Sequence, residues 1–320
     1  MSNPIHAAKA EAATPLPVVR IARIPPAPEG GRWLVDGLVA DQAVGFIGGA
    51  PKTGKTWLGL DLAVAVAAGV PALGRFPVRH PGAVLLYTAE DPASAVRDRV
   101  AGIATAAGVD LERLAVGLIS EPALRLDLDA DRDRLAATLA TLRPRLLILD
   151  PLVRLHRGDE NSSADISDIL GFLRQMQRQY AAAVLLVHHI RKSGPSDTGQ
   201  ALRGSGDLHA WGDSNLYVTR QDGKTILVPE HRAHPPTPPV TISIRGNPPR
   251  LLAGDVAPMD PDARLDQRVL EALDRQPLAR TDLREKLRLR NETLGEAIAR
   301  LLAQKHIVQA DGRFARAVPA

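Results

Sequence analysis

The sequence predicts an α/β protein, a mostly parallel sheet covered by helices, with a small helical unit after it. Three observations carry that prediction. Short apolar runs alternate with helical stretches between about Trp33 and Arg250. A glycine-rich loop, Gly49–Thr56, joins a strand pattern to a helix pattern. Beyond about residue 264 the apolar spacing becomes helical and then ends in a hairpin signal.

Ala43–Ile47 reads as a strand and Trp57–Ala68 as a helix. Ala83–Thr88 is a short apolar run, followed by a helical stretch at Ala93–Ala107. Leu146–Leu149 and Val184–Val187 are further apolar runs, separated by the helical stretch Ala164–Tyr180. Runs that are apolar throughout, rather than alternating, imply strands buried on both faces. Asn215–Thr219, Thr225–Val228 and Val240–Ile244 add strands that an antiparallel extension would suit. Residues 1–30 hold six prolines and few large apolar side chains, the composition of a flexible leader. The boundaries are therefore a leader at 1–30, an α/β domain at 31–253, a linker at 254–263 and a second domain at 264–316. In that second domain Leu265, Val269, Leu270 and Leu273 form one stripe. Thr281 and Asn291 can cap two more helices. Asp311-Gly312 is a hairpin turn signal. Three helices and a hairpin make a winged helix-turn-helix layout.

Composition narrows the function classes. Hydrophobic residues make up 45% and charged residues 24%, as in globular proteins. There are no cysteines, which excludes disulfides and thiolate metal sites and suits a reducing cytoplasm. Leu60–Leu73, the longest apolar stretch, is broken by Asp61, Gly69 and Pro71 and is too short for a membrane span. A cytoplasmic location follows by default. The net charge of +4 matches the excess carried from residue 264 to 320, where ten Arg and two Lys face eight acidic residues. Nucleic-acid binding is permitted by that balance but not established by it.

Gly49-Ala50-Pro51-Lys52-Thr53-Gly54-Lys55-Thr56 fits the Walker A pattern, with Trp57 opening the helix. Its glycines let successive backbone N–H groups turn toward an anion, while Lys55 supplies a point charge to the β- and γ-phosphates. The Thr56 hydroxyl suits Mg²⁺, and the helix aims its positive end at the phosphates. The expected ligands are ATP and Mg²⁺. Leu146-Leu147-Ile148-Leu149-Asp150 is an apolar strand ending in a carboxylate, the Walker B form, which makes Asp150 a Mg²⁺ residue. Glu90, just past the Ala83–Thr88 strand, falls at the carboxyl edge of the sheet and is assigned as the base that polarises water. Asp91, before Pro92, suits a helix-capping role. His188 and His189 end another strand at the same edge, where one can sense the γ-phosphate.

These elements together resemble a family. Trp33-Leu34-Val35-Asp36, Gly48–Thr56, Thr88-Ala89-Glu90-Asp91-Pro92, Leu149-Asp150-Pro151-Leu152, Val187-His188-His189 and Arg203-Gly204-Ser205-Gly206 resemble the RepA-like hexameric replicative helicases, which belong with the DnaB and RecA-like P-loop ATPases. The resemblance covers roughly Trp33 to Ile244. It implies a RecA-like P-loop NTPase fold, Lys55 and Thr56 at phosphate and Mg²⁺, Glu90 as catalytic carboxylate, Asp150 at Mg²⁺ and His189 as γ-phosphate sensor. It further implies a homo-oligomeric ring, a hexamer, with an arginine finger reaching each site from the neighbour. Where RepA-like proteins place an arginine after Arg-Gly-Ser, this chain has Trp211-Gly212-Asp213. Arg232 is favoured for the finger and Arg203 is the runner-up.

The polar segment from Arg191 and Lys192 to Arg203 corresponds to a channel-facing loop that grips single-stranded DNA in this class. Aromatic stacking residues are missing from it. The winged helix can bind duplex DNA or dock a protein, because its third helix carries Arg300 beside Glu292 and Glu296. The leading expectation is an ATP-hydrolysing DNA motor. A RecA-like ATPase of recombination, repair or defence and an ATP-controlled regulator stay open beside it.

Overall fold

A computed structural model of the 320-residue chain describes residues 18–25, 32–158, 163–189, 206–254, 261–274 and 276–317. In chain order the elements are β1 (Trp33–Val35), β2 (Val39–Ala40), β3 (Val44–Gly49), α1 (Lys55–Ala68), β4 (Val84–Thr88), α2 (Ala93–Ala106), β5 (Val116–Leu118), α3 (Asp129–Leu142), β6 (Leu146–Asp150), α4 (Ser163–Tyr180), β7 (Ala183–His189) and α5 (Gly206–Trp211). They continue with β8 (Ser214–Gln221), β9 (Lys224–His231), β10 (Val240–Arg245), β11 (Arg250–Ala253), α6 (Pro261–Leu273), β12 (Leu278–Ala279), α7 (Arg280–Leu287), α8 (Asn291–Ala303), β13 (Ile307–Ala310) and β14 (Arg313–Arg316).

Among the described residues the main sheet orders its strands β11-β10-β9-β8-β3-β7-β6-β4-β5. From β8 to β5 every pairing is parallel. The strands from β8 to β11 pair antiparallel, the arrangement that suited the late runs. Alternate side chains on each parallel strand enter different cores, as the two-residue period of a strand requires. Ile47, Leu86, Ile148 and Leu185 join α1 and α2 on one face. Phe46, Leu85, Leu149 and Leu186 join α3 and α4 on the other. This is why the strands read as unbroken apolar runs. A third cluster gathers Val269, Leu273, Leu283, Leu294, Leu301 and Phe314 from the elements after residue 261. There the three helices accompany a small sheet of order β12-β14-β13.

The pattern missed several elements. The α3 helix buries little beyond Leu135 and Leu139, so its periodicity is faint. The strands β1, β2, β5 and β12 have two or three residues each, too few for a run to register.

The α1 helix is buried almost all round, from Leu58 to Val66. Helices of that kind belong to interiors. Asp61, which interrupts the apolar stretch, lies inside it with no exposed surface. It is compensated there: Arg250 Nε donates to Asp61 Oδ1 at 2.7 Å and the Leu73 amide donates to Oδ2 at 2.6 Å. Arg250 also donates to the Pro71 carbonyl at 2.8 Å. The pair bolts β11 onto α1 and the turn that follows it.

Removing one partner strands a buried charge, at a cost of about 3–5 kcal/mol, whereas a matched apolar pair is often tolerated. Asp61→Ala is therefore expected to lower the unfolding free energy in urea by that amount, and Asp61→Leu with Arg250→Met to recover most of it. An Asp61→Ala protein as stable as the parent would show that the pair is not what seats β11.

Candidate active site

Parallel strands β3, β7, β6 and β4 stand side by side, and each ends in one group of the site. The β3 strand runs into the glycine-rich loop, β7 ends at His189, β6 ends at Asp150, and Glu90 lies two residues beyond β4. Residues far apart in sequence are thus neighbours in the site. The crossovers bring residues 49–56, 90, 150 and 189 to one edge, where ligands of open α/β sheets bind.

The loop owes its shape to particular glycines. Gly54 has φ +97°, a left-handed geometry that costs other residues strain. A Cβ on Gly49 would lie 2.3 Å from the Val218 carbonyl oxygen of β8, so this position must be bare. Thr53 Oγ1 donates to the Ala50 carbonyl at 2.9 Å and draws the turn together. Gly54 precedes α1 without any side-chain cap, so the N–H groups of the first turn remain available for an anion. The buried Lys55 ammonium donates to the Gly49 and Ala50 carbonyls, each at 2.9 Å. Burial pushes its pKa below the ordinary value, while Asp150 and Glu90 oppose that shift.

Thr56 Oγ1 donates to Asp150 Oδ2 at 2.8 Å, tying α1 to the end of β6. Burial pushes the Asp150 pKa up to about 6, against the Thr56 hydrogen bond and the Lys55 charge. A hydroxyl and a carboxylate beside a phosphate-shaped loop are the oxygen donors that Mg²⁺ prefers, so the residues fit that ion together with a nucleotide. The cavity over them measures about 990 Å³ and is lined by Pro51–Trp57, Glu90, Asp150 and His189 among others.

Half-exposed Glu90 accepts from Arg154 Nε at 3.2 Å. Asp91 does not cap α2. Pro92 occupies the cap position without a side-chain bond, and Asp91 instead pairs with Arg99 one helical face away. His188 is buried and its pKa falls to about 4, first through burial and then through His189 and Lys55. It is a neutral ring behind the site, and His189 is the histidine that reaches the cavity.

Arg232 lies elsewhere. Its amide donates to the Asp213 carbonyl at 3.0 Å, and Asp213 Oδ2 accepts from the Val44 amide at the start of β3. It is thus one strand length, about 17 Å, from the loop at the end of β3. Arg232 also pairs with Asp213 at 3.4 Å and stays half exposed. Within Trp211-Gly212-Asp213, Trp211 Nε1 donates to the Leu170 carbonyl at 2.9 Å and Asp213 anchors Arg174 of α4. Those residues brace α4 and α5. Arg191, Lys192 and Arg203 fall outside the described residues. Reading the sequence missed the cavity's far wall. Arg220 of β8 donates to the Lys52 carbonyl at 3.3 Å, and Arg99, Lys224 and Arg245 also line the space. The antiparallel fold-back of β8 to β11 brings most of that wall near.

The two shifted groups oppose each other in their effect on stability. The folded Asp150 pKa is raised from 3.8 to about 6, so the folded chain binds the extra proton and gains stability as pH falls through 6. The folded His188 pKa is depressed from 6.5 to about 4, so stability is lost as pH falls below 6.5. Each effect amounts to about 2–3 kcal/mol at pH 4.5. Without nucleotide and with a chelator present, Asp150→Asn should lose more stability than the parent between pH 7 and 4.5, and His188→Asn less. Parallel pH slopes for all three proteins in urea titrations would contradict the assigned shifts.

Comparison with known proteins bears on the fold that carries these residues. Residues 9–195 match the family described as AAA domain. A solved structure of an ATPase domain is similar at a TM-score of 0.53 and 15% identity, over 72% of this chain and 91% of that one. A second, a DnaB-like replicative helicase solved for its interactions with primase, is similar at a TM-score of 0.50 and 17% identity, over 66% of this chain and 57% of that one. At those identities the likeness speaks for the fold, which is RecA-like, while the match over more than half its length makes this chain a member of the AAA domain family.

Proposed function

We propose that the protein is an ATP-hydrolysing DNA motor, a RepA-like replicative helicase that acts on single-stranded DNA as a ring. One observation carries the reading. A phosphate-shaped loop, a Thr56–Asp150 pair, Glu90 and His189 converge on one cavity from four adjacent strands.

In this reading the loop N–H groups and Lys55 hold the β- and γ-phosphates. Thr56 and Asp150 would hold Mg²⁺, which would supply positive charge beside the phosphates. Glu90 orients and deprotonates the attacking water, and His189 reports whether the γ-phosphate is present. Arg232 cannot serve its own loop from the opposite edge of the sheet. Its placement supports a finger that reaches a neighbour's nucleotide, which requires a homo-oligomer. No helix among the described residues is long and apolar enough to cross a membrane.

A second reading rests on the elements after residue 261. Three helices around a small three-stranded sheet support a winged helix, whose partner would be duplex DNA or a protein. With that unit as the output, the protein would be an ATP-controlled regulator.

Lys55→Ala should weaken nucleotide binding by on the order of 10- to 100-fold, the worth of one charge-assisted hydrogen bond. Glu90→Gln should bind ATP normally and hydrolyse it about 10²–10⁴-fold more slowly. Titration with a fluorescent ATP analogue and phosphate release separate the two, and full turnover by Glu90→Gln would remove Glu90 from the mechanism.

Single-stranded DNA should raise the ATPase rate, and Lys192→Ala or Arg203→Ala should reduce the stimulation more than the basal rate. Arg232→Ala mixed with Lys55→Ala should regain activity at interfaces that pair an intact loop with an intact finger. A basal rate indifferent to single-stranded DNA at low salt, with all DNA binding lost on deletion of residues 264–320, would favour the regulator.

A further inference from the structure

We infer that Arg154 is the positioning residue for the Glu90 carboxylate, an inference that rests on Glu90 being the base. Glu90 sits on the connection between β4 and α2, at the mouth of the cavity. Its side chain is half exposed; the Lys55 and Asp150 charges act on it from within the site, and among the described residues Arg154 is the side chain that hydrogen-bonds it. A glutamate with that much surface samples many rotamers unless something fixes it. The contact, Arg154 Nε to Glu90 Oε1 at 3.2 Å, is therefore what selects the direction of the carboxylate.

Arg154 is well placed to do this. It ends a short 3₁₀ turn, Leu152–Arg154, that follows β6 directly. Leu152 and Leu155 are fully buried on either side of Val153 and Arg154, which face outward. The Leu155 carbonyl also accepts from the Leu126 amide at 2.7 Å. The turn is thus rigid while its arginine projects over the rim. Four residues earlier in the same segment lies Asp150. The Ala89 amide donates to the Asp150 carbonyl at 2.8 Å, so the backbones that carry Glu90 and Arg154 are themselves tied together. One segment therefore sets both the Asp150 carboxylate and, through Arg154, the carboxylate that handles water.

Arg154 does not line the cavity and touches no group of the glycine-rich loop, so its loss should leave nucleotide binding alone. Displacing a catalytic group by about an ångström costs on the order of 100-fold, and this contact is exposed and partial. Arg154→Ala is expected to lower kcat by about 10- to 100-fold with KM for ATP and the urea midpoint unchanged. Arg154→Lys, which keeps the charge and most of the reach, should recover part of the rate. In a Glu90→Gln background Arg154→Ala should have no further effect, because the group it aims is already gone.

Phosphate-release assays on the full-length parent and these variants decide the matter. An Arg154→Ala protein with parental kcat, while Glu90→Gln is inactive, overturns this inference and leaves Glu90 as the base. A Glu90→Gln protein with parental kcat removes the base assignment and this inference with it. Additive losses in the double variant show that Arg154 acts on something other than Glu90 and overturn the inference as well. A fall in the urea midpoint that accounts for the lost rate, with no rescue by lysine, makes the residue merely structural and also overturns the inference.

Discussion

The hydrogen bond from Thr56 to Asp150 is the contact on which the site depends. It joins the first turn of α1 to the end of β6, although β7 lies between β6 and β3 in the sheet. The loop, its helix and the second acidic strand are therefore one rigid unit. Burial raises the Asp150 pKa, so part of the folding energy goes into holding a carboxylate in an unfavourable place. A cation is the natural way to relieve that cost.

That rigidity is shared with the rest of the domain through buried polar anchors. The Asp61–Arg250 pair clamps the last strand to α1, and Asp213 gathers Arg174, Arg232 and the Val44 amide at the far edge. Both anchors tie segments distant in sequence to the two elements that flank the loop, β3 and α1. The nucleotide cavity is thereby closed by β10 and β11, strands that carry none of the familiar loop residues.

Much of this was legible beforehand. Apolar runs located β3, β4, β6 and β7, and the motif spacing located Lys55, Thr56 and Asp150, because phosphate and Mg²⁺ chemistry imposes a local pattern. The place of Glu90 on the cavity wall followed from its position past a strand. What stayed hidden was non-local. An antiparallel extension suited the late runs, but nothing in their spacing announces that it brings residues 220, 224 and 245 to the cavity beside residue 52. Asp61 looked like an interruption of an apolar stretch, since its compensating charge is 189 residues away. Asp91 looked like a cap, and an arginine two turns into α2 claimed it instead. Arg154 was not singled out, because an arginine after a Walker B strand matches no pattern and gains meaning only from the carboxylate opposite it.

The distance in sequence between Asp61 and Arg250 also bears on how the chain is made. A ribosome adding about 5–20 residues per second needs roughly 10–40 s to travel from one to the other. Throughout that interval the carboxylate of α1 has no counter-charge, and the helix cannot enter an apolar interior at tolerable cost. The emerging α/β region is therefore held back from final closure until its last strand is out.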